Sequence, residues 1–165
     1  MNSNLVEQSA LIENYEFKAV PNNEGKNIVL VGGCFDVLHY GHIEFLKKAK
    51  AAGDYLGVAL EPDERILKYK HRKPIHNQKE RAEILSAIRF VDKVILLPVL
   101  NGFKDYNQLV RDIHPKVIAV TAGDPQLDNK KNQAVEVGAT VETVMQRLNG
   151  FSSSSIINNQ QKHQK

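Results

Sequence analysis

Four short, almost wholly apolar runs constrain this chain more than any other feature: residues 27–32 (NIVLVG), 55–60 (YLGVAL), 93–97 (KVILL) and 116–121 (KVIAVT). Each has the length of a strand and lacks the polar alternation of a sheet that faces water, so each reads as a strand buried on both faces. The segments between them, 41–52, 78–90, 105–113 and 129–137, carry apolar residues at helical spacing. A short fifth strand is expected at 140–144, and Ser153 opens a last helix. Strands alternating with amphipathic helices predict an α/β fold, a Rossmann-like three-layer sandwich whose five-stranded sheet is mainly parallel. With 165 residues, one domain is expected, large enough to bury roughly 70% of its unfolded surface without staples. We place that domain at residues 26–157. Residues 1–25 read as an accessory extension with a short helix at 4–14, and 158–165 (NNQQKHQK) as a polar, disordered tail. In such sheets ligands sit beyond the carboxyl ends of the strands, where strand order reverses, which directs attention to the residues after Val31, Leu60 and Val120.

Composition excludes several classes. A single cysteine, Cys34, allows no intrachain disulfide. The longest apolar run, 94–100, is seven residues and contains Pro98, far below the roughly 18 a bilayer span needs. The amino terminus lacks the basic start and apolar stretch of a secretory signal. The expectation is a soluble, cytoplasmic protein without membrane partners. The net charge of +3 is too small to argue for nucleic acid, but its distribution is uneven: residues 65–81 hold seven Lys or Arg against one Glu. A compact basic cluster with little aromatic interleaving suits a phosphate-rich small ligand. A solvated basic loop is the plainer alternative.

The first strand runs into Gly32-Gly33-Cys34-Phe35-Asp36-Val37-Leu38-His39-Tyr40-Gly41-His42. The glycines let the backbone approach a ligand. A helix begins near Gly41, and His39 and His42, three apart, fall on one side of its first turn. There they stand among unpaired N–H groups at the positive end of the helix dipole, a place suited to phosphate. Two imidazoles in that position can donate to a phosphoryl oxygen as charge builds on it. Capping or core histidines are the plain reading, and a metal site made with Cys34 is a third, weakened by the single cysteine.

The string GGCFDVLHYGH resembles the signature of the cytidylyltransferase-like nucleotidyltransferases, whose hallmark is His-x-Gly-His. The resemblance implies a Rossmann-like fold, a Mg²⁺ cofactor bound through phosphates with no confident protein ligand, and a homodimer. His39 and His42 match the two signature histidines, and Gly33, Cys34, Phe35, Asp36 and Gly41 surround them beside the nucleotide. Lys70, Arg72 and Lys73 fall where the family places a mobile basic loop. Arg81 matches an arginine at the start of the following helix, and Gly123-Asp124 a turn near the base. Arg147 with Phe151 and Ser152, Ser153, Ser154 and Ser155 resembles the late signature, with serine throughout where the family has Ser-Thr-Thr. The implied reaction transfers a nucleoside monophosphate, AMP from ATP by preference, to a phosphorylated metabolite such as a sugar phosphate or FMN, with release of pyrophosphate. In that reaction His39, His42, Lys70 and Arg72 would be catalytic. Cytidylyl transfer from CTP to glycerol 3-phosphate, and a noncatalytic nucleotide-binding module, are the alternatives. Arg72-Lys73-Pro74-Ile75 and the serine run resemble FAD synthases of the archaeal type, and Gly-Cys-Phe-Asp the heptose 1-phosphate adenylyltransferases.

Overall fold

A computed structural model describes residues 11–15, 25–148, 150 and 152–162. Twelve elements follow in order: β1 (Leu11–Asn14), β2 (Ile28–Gly33), α1 (Tyr40–Lys50), β3 (Tyr55–Leu60), α2 (Asp63–Lys70), α3 (Gln78–Ser86), β4 (Lys93–Leu96), α4 (Phe103–Ile113), β5 (Val117–Thr121), α5 (Leu127–Val137), β6 (Thr140–Met145) and α6 (Ser153–Lys162). The strands form one sheet in the order β1-β4-β3-β2-β5-β6, and every pairing is parallel. The sheet therefore has six strands, not the five expected.

The continuous apolar runs are explained by burial on both faces. In β2, Val29 and Val31 enter one core with Leu46 and Ala49 of α1 and Ala82 and Leu85 of α3. Ile28 and Leu30 enter the other, with Leu109, Val110 and Ile113 of α4 and Ala134 of α5. Helices cover both faces, as a parallel sheet requires. From β2 the chain moves one way to β3 and β4 and then returns to β5 on its other side. That reversal places the topological switch point between β2 and β5.

Two elements differ from the sequence reading. Residues 11–14 form a strand, not part of a helix; residues 4–10 of that expected helix lie outside the described residues. All four β1 side chains are exposed, so no apolar alternation marks them. Backbone pairing with β4 and an ion pair between Glu13 and Lys93 hold the strand instead. Tyr15 then turns inward, its OH donating to Asp112 at 2.6 Å. Within the basic stretch, residues through Lys70 belong to α2 rather than to a loop. Asp63 and Glu64 in its first turn and Lys68 and Lys70 in its last complement the helix dipole. Only Ile66 is buried, so the periodic signal is weak. The last helix also extends past residue 157, to Lys162.

The carboxyl edge of the sheet is held by α3. Arg81 is 1% exposed. Its Nη1 donates to the carbonyls of Cys34 (2.5 Å) and Glu61 (2.9 Å), its Nε to that of His76 (3.0 Å), and its Nη2 to Asp63 Oδ1 (2.6 Å). One guanidinium thus joins the ends of β2 and β3, the start of α2 and the loop before α3. Gln78 extends the clamp, its Nε2 donating to the carbonyls of Leu60 (3.0 Å) and Leu97 (2.8 Å). Removing Arg81 leaves three carbonyls without their donor, while Asp63, its side chain 37% exposed, can turn to water. Arg81→Met is expected to lose roughly 2–4 kcal/mol of unfolding free energy, the scale of leaving two or three carbonyls unsatisfied. Arg81→Lys should recover only part, since an ammonium lacks the planar fork that reaches separate acceptors. Urea unfolding of the two variants checks both statements.

Candidate active site

Beyond Gly33 the chain turns sharply. Phe35 adopts a left-handed backbone (φ 44°), uncommon for a residue with a bulky side chain. Its ring packs back over Gly33, where a Cβ would stand 3.0 Å from Phe35 Cε2. A side chain at the second glycine would press on this ring and push it aside. The same ring lies 5.0 Å from that of His42.

His39 is the N-cap of α1, its carbonyl accepting from the His42 N–H at 2.9 Å. This first turn brings the two imidazoles into a stack with centroids 3.8 Å apart and planes at 23°. The Nδ1 atoms of both are buried, so Nε2 is the nitrogen left toward the space that both rings line. Burial is the main cause that pushes the His42 pKa down to about 3, helped by the neighbouring His39 and Lys70 and only partly opposed by a backbone contact from Val37. His39 is lowered as well, by burial and then by Lys70. Near neutral pH the pair is uncharged, each ring offering a single N–H donor.

The histidines stand in a cleft of about 560 Å³, within the range of small-molecule sites. Gly32, Gly33, Cys34, Phe35, Gly41 and Phe45 form its floor with the histidines, and Lys70 reaches in from the end of α2. Ala119 and Thr121 of β5, Asp124, Lys130 and Met145 make the far wall. Arg147, Leu148, Gly150, Ser152, Ser153 and Ser155 close it. Burial pushes the Cys34 thiol up, against the pull of Lys70, which fits a packing residue rather than a nucleophile.

At the start of α6, Ser152 and Ser155 cap one another: the Ser155 N–H donates to Ser152 Oγ at 3.0 Å and the Ser152 N–H to Ser155 Oγ at 3.1 Å. Ser153 Oγ donates to the Val37 carbonyl at 3.2 Å, tying this helix to the first turn across most of the chain. These hydroxyls hold the helix start in place, with Ser152, Ser153 and Ser155 lining the cleft. Asn149 and Phe151 lie outside the described residues.

Several residues grouped with the site by sequence stand outside the cleft lining: Asp36, Arg72, Lys73, Arg81, Gly123 and Ser154. Asp36 is enclosed and faces Arg72 Nη2 at 2.5 Å, while its Oδ1 accepts from the Ile75 N–H at 2.9 Å. Arg72 is therefore occupied by a buried carboxylate rather than free to close over phosphate. Together they latch the segment after α2 onto the turn after β2, and Lys70 is the basic-cluster residue left at the cleft. Lys73 is exposed. Arg81 is the clamp already described, and Gly123 (φ 73°) forms the turn after β5. The sequence reading missed Lys130, whose Nζ pairs with Asp124 Oδ2 at 2.7 Å. Its only sequence signal is its place on the first turn of the helix after the Gly-Asp turn.

Among the described residues, no group of three or more His, Cys, Asp or Glu side chains gathers as a metal cage, and no helix is long and apolar enough to cross a membrane.

Comparison with known proteins agrees with this geometry. The FAD synthase of Thermococcus kodakarensis is 50% identical over 92 residues, 56% of this chain and 60% of that enzyme, so the match spans less than two thirds of the relative. The bifunctional protein HldE of Wolinella succinogenes is 35% identical over 136 residues, 82% of this chain and 27% of that protein. The crystal structure of the lipopolysaccharide core biosynthesis protein of Thermoplasma volcanium superposes with a TM-score of 0.60 at 27% identity, covering 74% of this chain and 98% of that one. A family model described as cytidylyltransferase-like matches residues 30–159, a span that holds the stacked histidines, Lys70 and the capped start of α6, and the chain belongs to that family.

Proposed function

We propose that this chain is a nucleotidyltransferase that moves the adenylyl group of ATP onto the phosphate of FMN and releases pyrophosphate. The observation that carries the proposal is the stacked, uncharged pair His39 and His42 at the start of α1, with Lys70 beside it in the cleft. The similarity to FAD synthases points to the two substrates. The chemistry is an in-line displacement at the α-phosphorus. An oxygen of the acceptor phosphate forms the new P–O bond, the bond to the bridging oxygen breaks, and its electron pair leaves with pyrophosphate. The acceptor phosphate is anionic near neutral pH, so no general base is needed. Catalysis reduces to positioning and charge stabilisation.

In this scheme His39 and His42 donate through Nε2–H to phosphoryl oxygens whose charge grows as the reaction proceeds. Lys70 adds a point charge, and the first turn of α6 binds the departing phosphates. A divalent cation, Mg²⁺ by preference, would be held mainly by triphosphate oxygens and water, neutralising charge there. The cleft suits that arrangement: the one carboxylate among its described lining residues, Asp124, is already paired with Lys130. A sugar phosphate acceptor is the second reading, favoured by the longer alignment with HldE.

Pyrophosphate release, screened with ATP and CTP against FMN, glycerol 3-phosphate and a heptose 1-phosphate, tests the proposal. ATP with FMN is the expected productive pair. Release with CTP alone, or with no pair, overturns it. His42→Ala should lower turnover by roughly 10²–10³-fold, the loss of one preorganised donor, and turnover within threefold of the parent would remove His42 from the mechanism. Lys70→Gln should weaken ATP binding in a direct titration and lower its salt dependence.

The uncharged state of His42 has its own signature. Its folded pKa of about 3 lies below the ordinary value of 6.5, so between these limits the unfolded chain binds a proton that the native state refuses. The native state therefore loses stability from this group as pH falls through that window. Urea midpoints of His42→Gln should drop less between pH 7 and pH 4.5 than those of the parent. Equal slopes would show that the ring is not held neutral.

A further inference from the structure

Lys70 lines the cleft with both histidines, yet it stands in a stretch, residues 67–80, in which no residue is buried. Apolar packing fixes its place from one side only. Ile66, one turn earlier, is the single buried side chain of α2. Beyond Lys70 the helix stops at His71, which takes a left-handed backbone (φ 52°) and donates its N–H to the Leu67 carbonyl at 3.1 Å. That conformation is uncommon for a residue with a side chain. Ile75 gives no apolar anchor, being 56% exposed.

What holds this segment is polar. The Asp36 side chain is fully enclosed, with Oδ2 at 2.5 Å from Arg72 Nη2, and both atoms are shielded from solvent. Its Oδ1 accepts from the Ile75 N–H at 2.9 Å. One carboxylate thus grips the segment at residues 72 and 75. Arg72 Nη1 also donates to the Lys73 carbonyl at 3.1 Å, which orients the guanidinium from within the segment. Asp36 follows Phe35, whose ring lies 5.0 Å from that of His42. The chain that carries Lys70 is therefore pinned to the same turn that supports the imidazole pair.

We propose that Arg72 is a positioning residue, whose pairing with Asp36 holds the end of α2 so that Lys70 stands in the cleft with His39 and His42. The proposal rests on the nucleotide-transfer reading for the use made of Lys70, and deepens it by assigning what places that charge. A lysine is a flexible point charge, so its value to a triphosphate depends on where its backbone is held. An arginine suits the holding role, because its planar fork meets the carboxylate and a carbonyl together. Arg72 then acts on ATP only through Lys70.

A mutant cycle on the full chain tests this, with ATP binding read by calorimetry. Arg72→Gln should weaken ATP binding about fivefold, within the range of couplings between neighbouring side chains. In a Lys70→Gln background the same change should cost less than about twofold, since the residue it positions is gone. Arg72→Lys should recover part of the loss. An equal cost in both backgrounds means that Arg72 meets ATP itself or acts elsewhere, and overturns the proposal. So does unchanged ATP binding in Arg72→Gln or in Lys70→Gln. Amide exchange gives a reading without ligand: residues 71–75 should exchange faster in Arg72→Gln than in the parent, and equal rates overturn the hold. Should Arg72→Gln fail to fold because Asp36 is left charged and enclosed, Asp36→Asn with Arg72→Gln carries neither charge and takes its place in the cycle. A non-additive cycle with no pyrophosphate release from any acceptor fails the transfer reading and leaves the positioning role standing.

Discussion

A guanidinium shut away from water sets the geometry of this protein's working edge. Charged groups are costly to bury, and Arg81 is tolerated only because three carbonyls and one carboxylate receive it. Those acceptors are themselves the loose ends of other elements. The Cys34 carbonyl sits where β2 turns toward the histidines, and the Glu61 carbonyl where β3 gives way to α2. Satisfying them with one rigid group fixes the spacing between the imidazole pair and the helix that delivers Lys70. The two halves of the site come from different strands, so this spacing is not set by either strand alone. The Glu61 carboxylate also accepts from Tyr106 OH, which ties the same corner to α4.

The basic cluster of residues 65–81 takes on a different meaning in three dimensions. As a run of charge it reads as a single phosphate-binding loop, but the fold assigns its members separately. Arg81 is internal, Arg72 neutralises the enclosed Asp36, and Arg65 lies between two tyrosine rings. Lys70 alone of the seven basic residues lines the cleft. Three arginines thus act on architecture while a lysine faces the cleft. That division follows from their chemistry: the planar fork makes several directed bonds to fixed acceptors, whereas the ammonium is a flexible point charge.

How much of this was legible in the sequence depended on whether burial left a pattern. β2 to β5 announced themselves because strands covered on both faces must be apolar at nearly every position. His39 and His42 were legible as a pair because a three-residue spacing across a helix start allows little else than a shared face, and their rings stack. β1 was not legible, since an edge strand held by backbone bonds with its side chains in water carries no alternation. α2 was hidden by the same cause, with Ile66 its one buried side chain. Arg72 and Arg81 were grouped with the ligand because charge along a sequence does not reveal which acceptor a side chain will meet. Asp36 lies 36 residues from Arg72, and only the fold brings them together. Lys130 was missed for a similar reason, its partner Asp124 being six residues away in a turn whose path the sequence does not specify.

The proposed transfer between two polyanions raises the question of why neutral imidazoles should stand at the centre of the cleft. A fully cationic cleft would bind substrate and product triphosphate or pyrophosphate strongly at every stage, and uniform binding does not lower the barrier. Two stacked rings 3.8 Å apart could not both be charged without strong mutual repulsion, and their burial enforces neutrality further. Neutral N–H donors interact weakly with a spread ground-state charge and gain as charge concentrates on the oxygens they face. The permanent charge in the cleft is meanwhile restrained: Lys130 is balanced by Asp124, leaving Lys70, Arg147 and the helix starts of α1 and α6 to attract the incoming phosphates in the proposed transfer. The arrangement divides attraction from activation. In the proposed transfer, fixed positive ends draw the phosphates in, and the histidine pair responds to the change in charge.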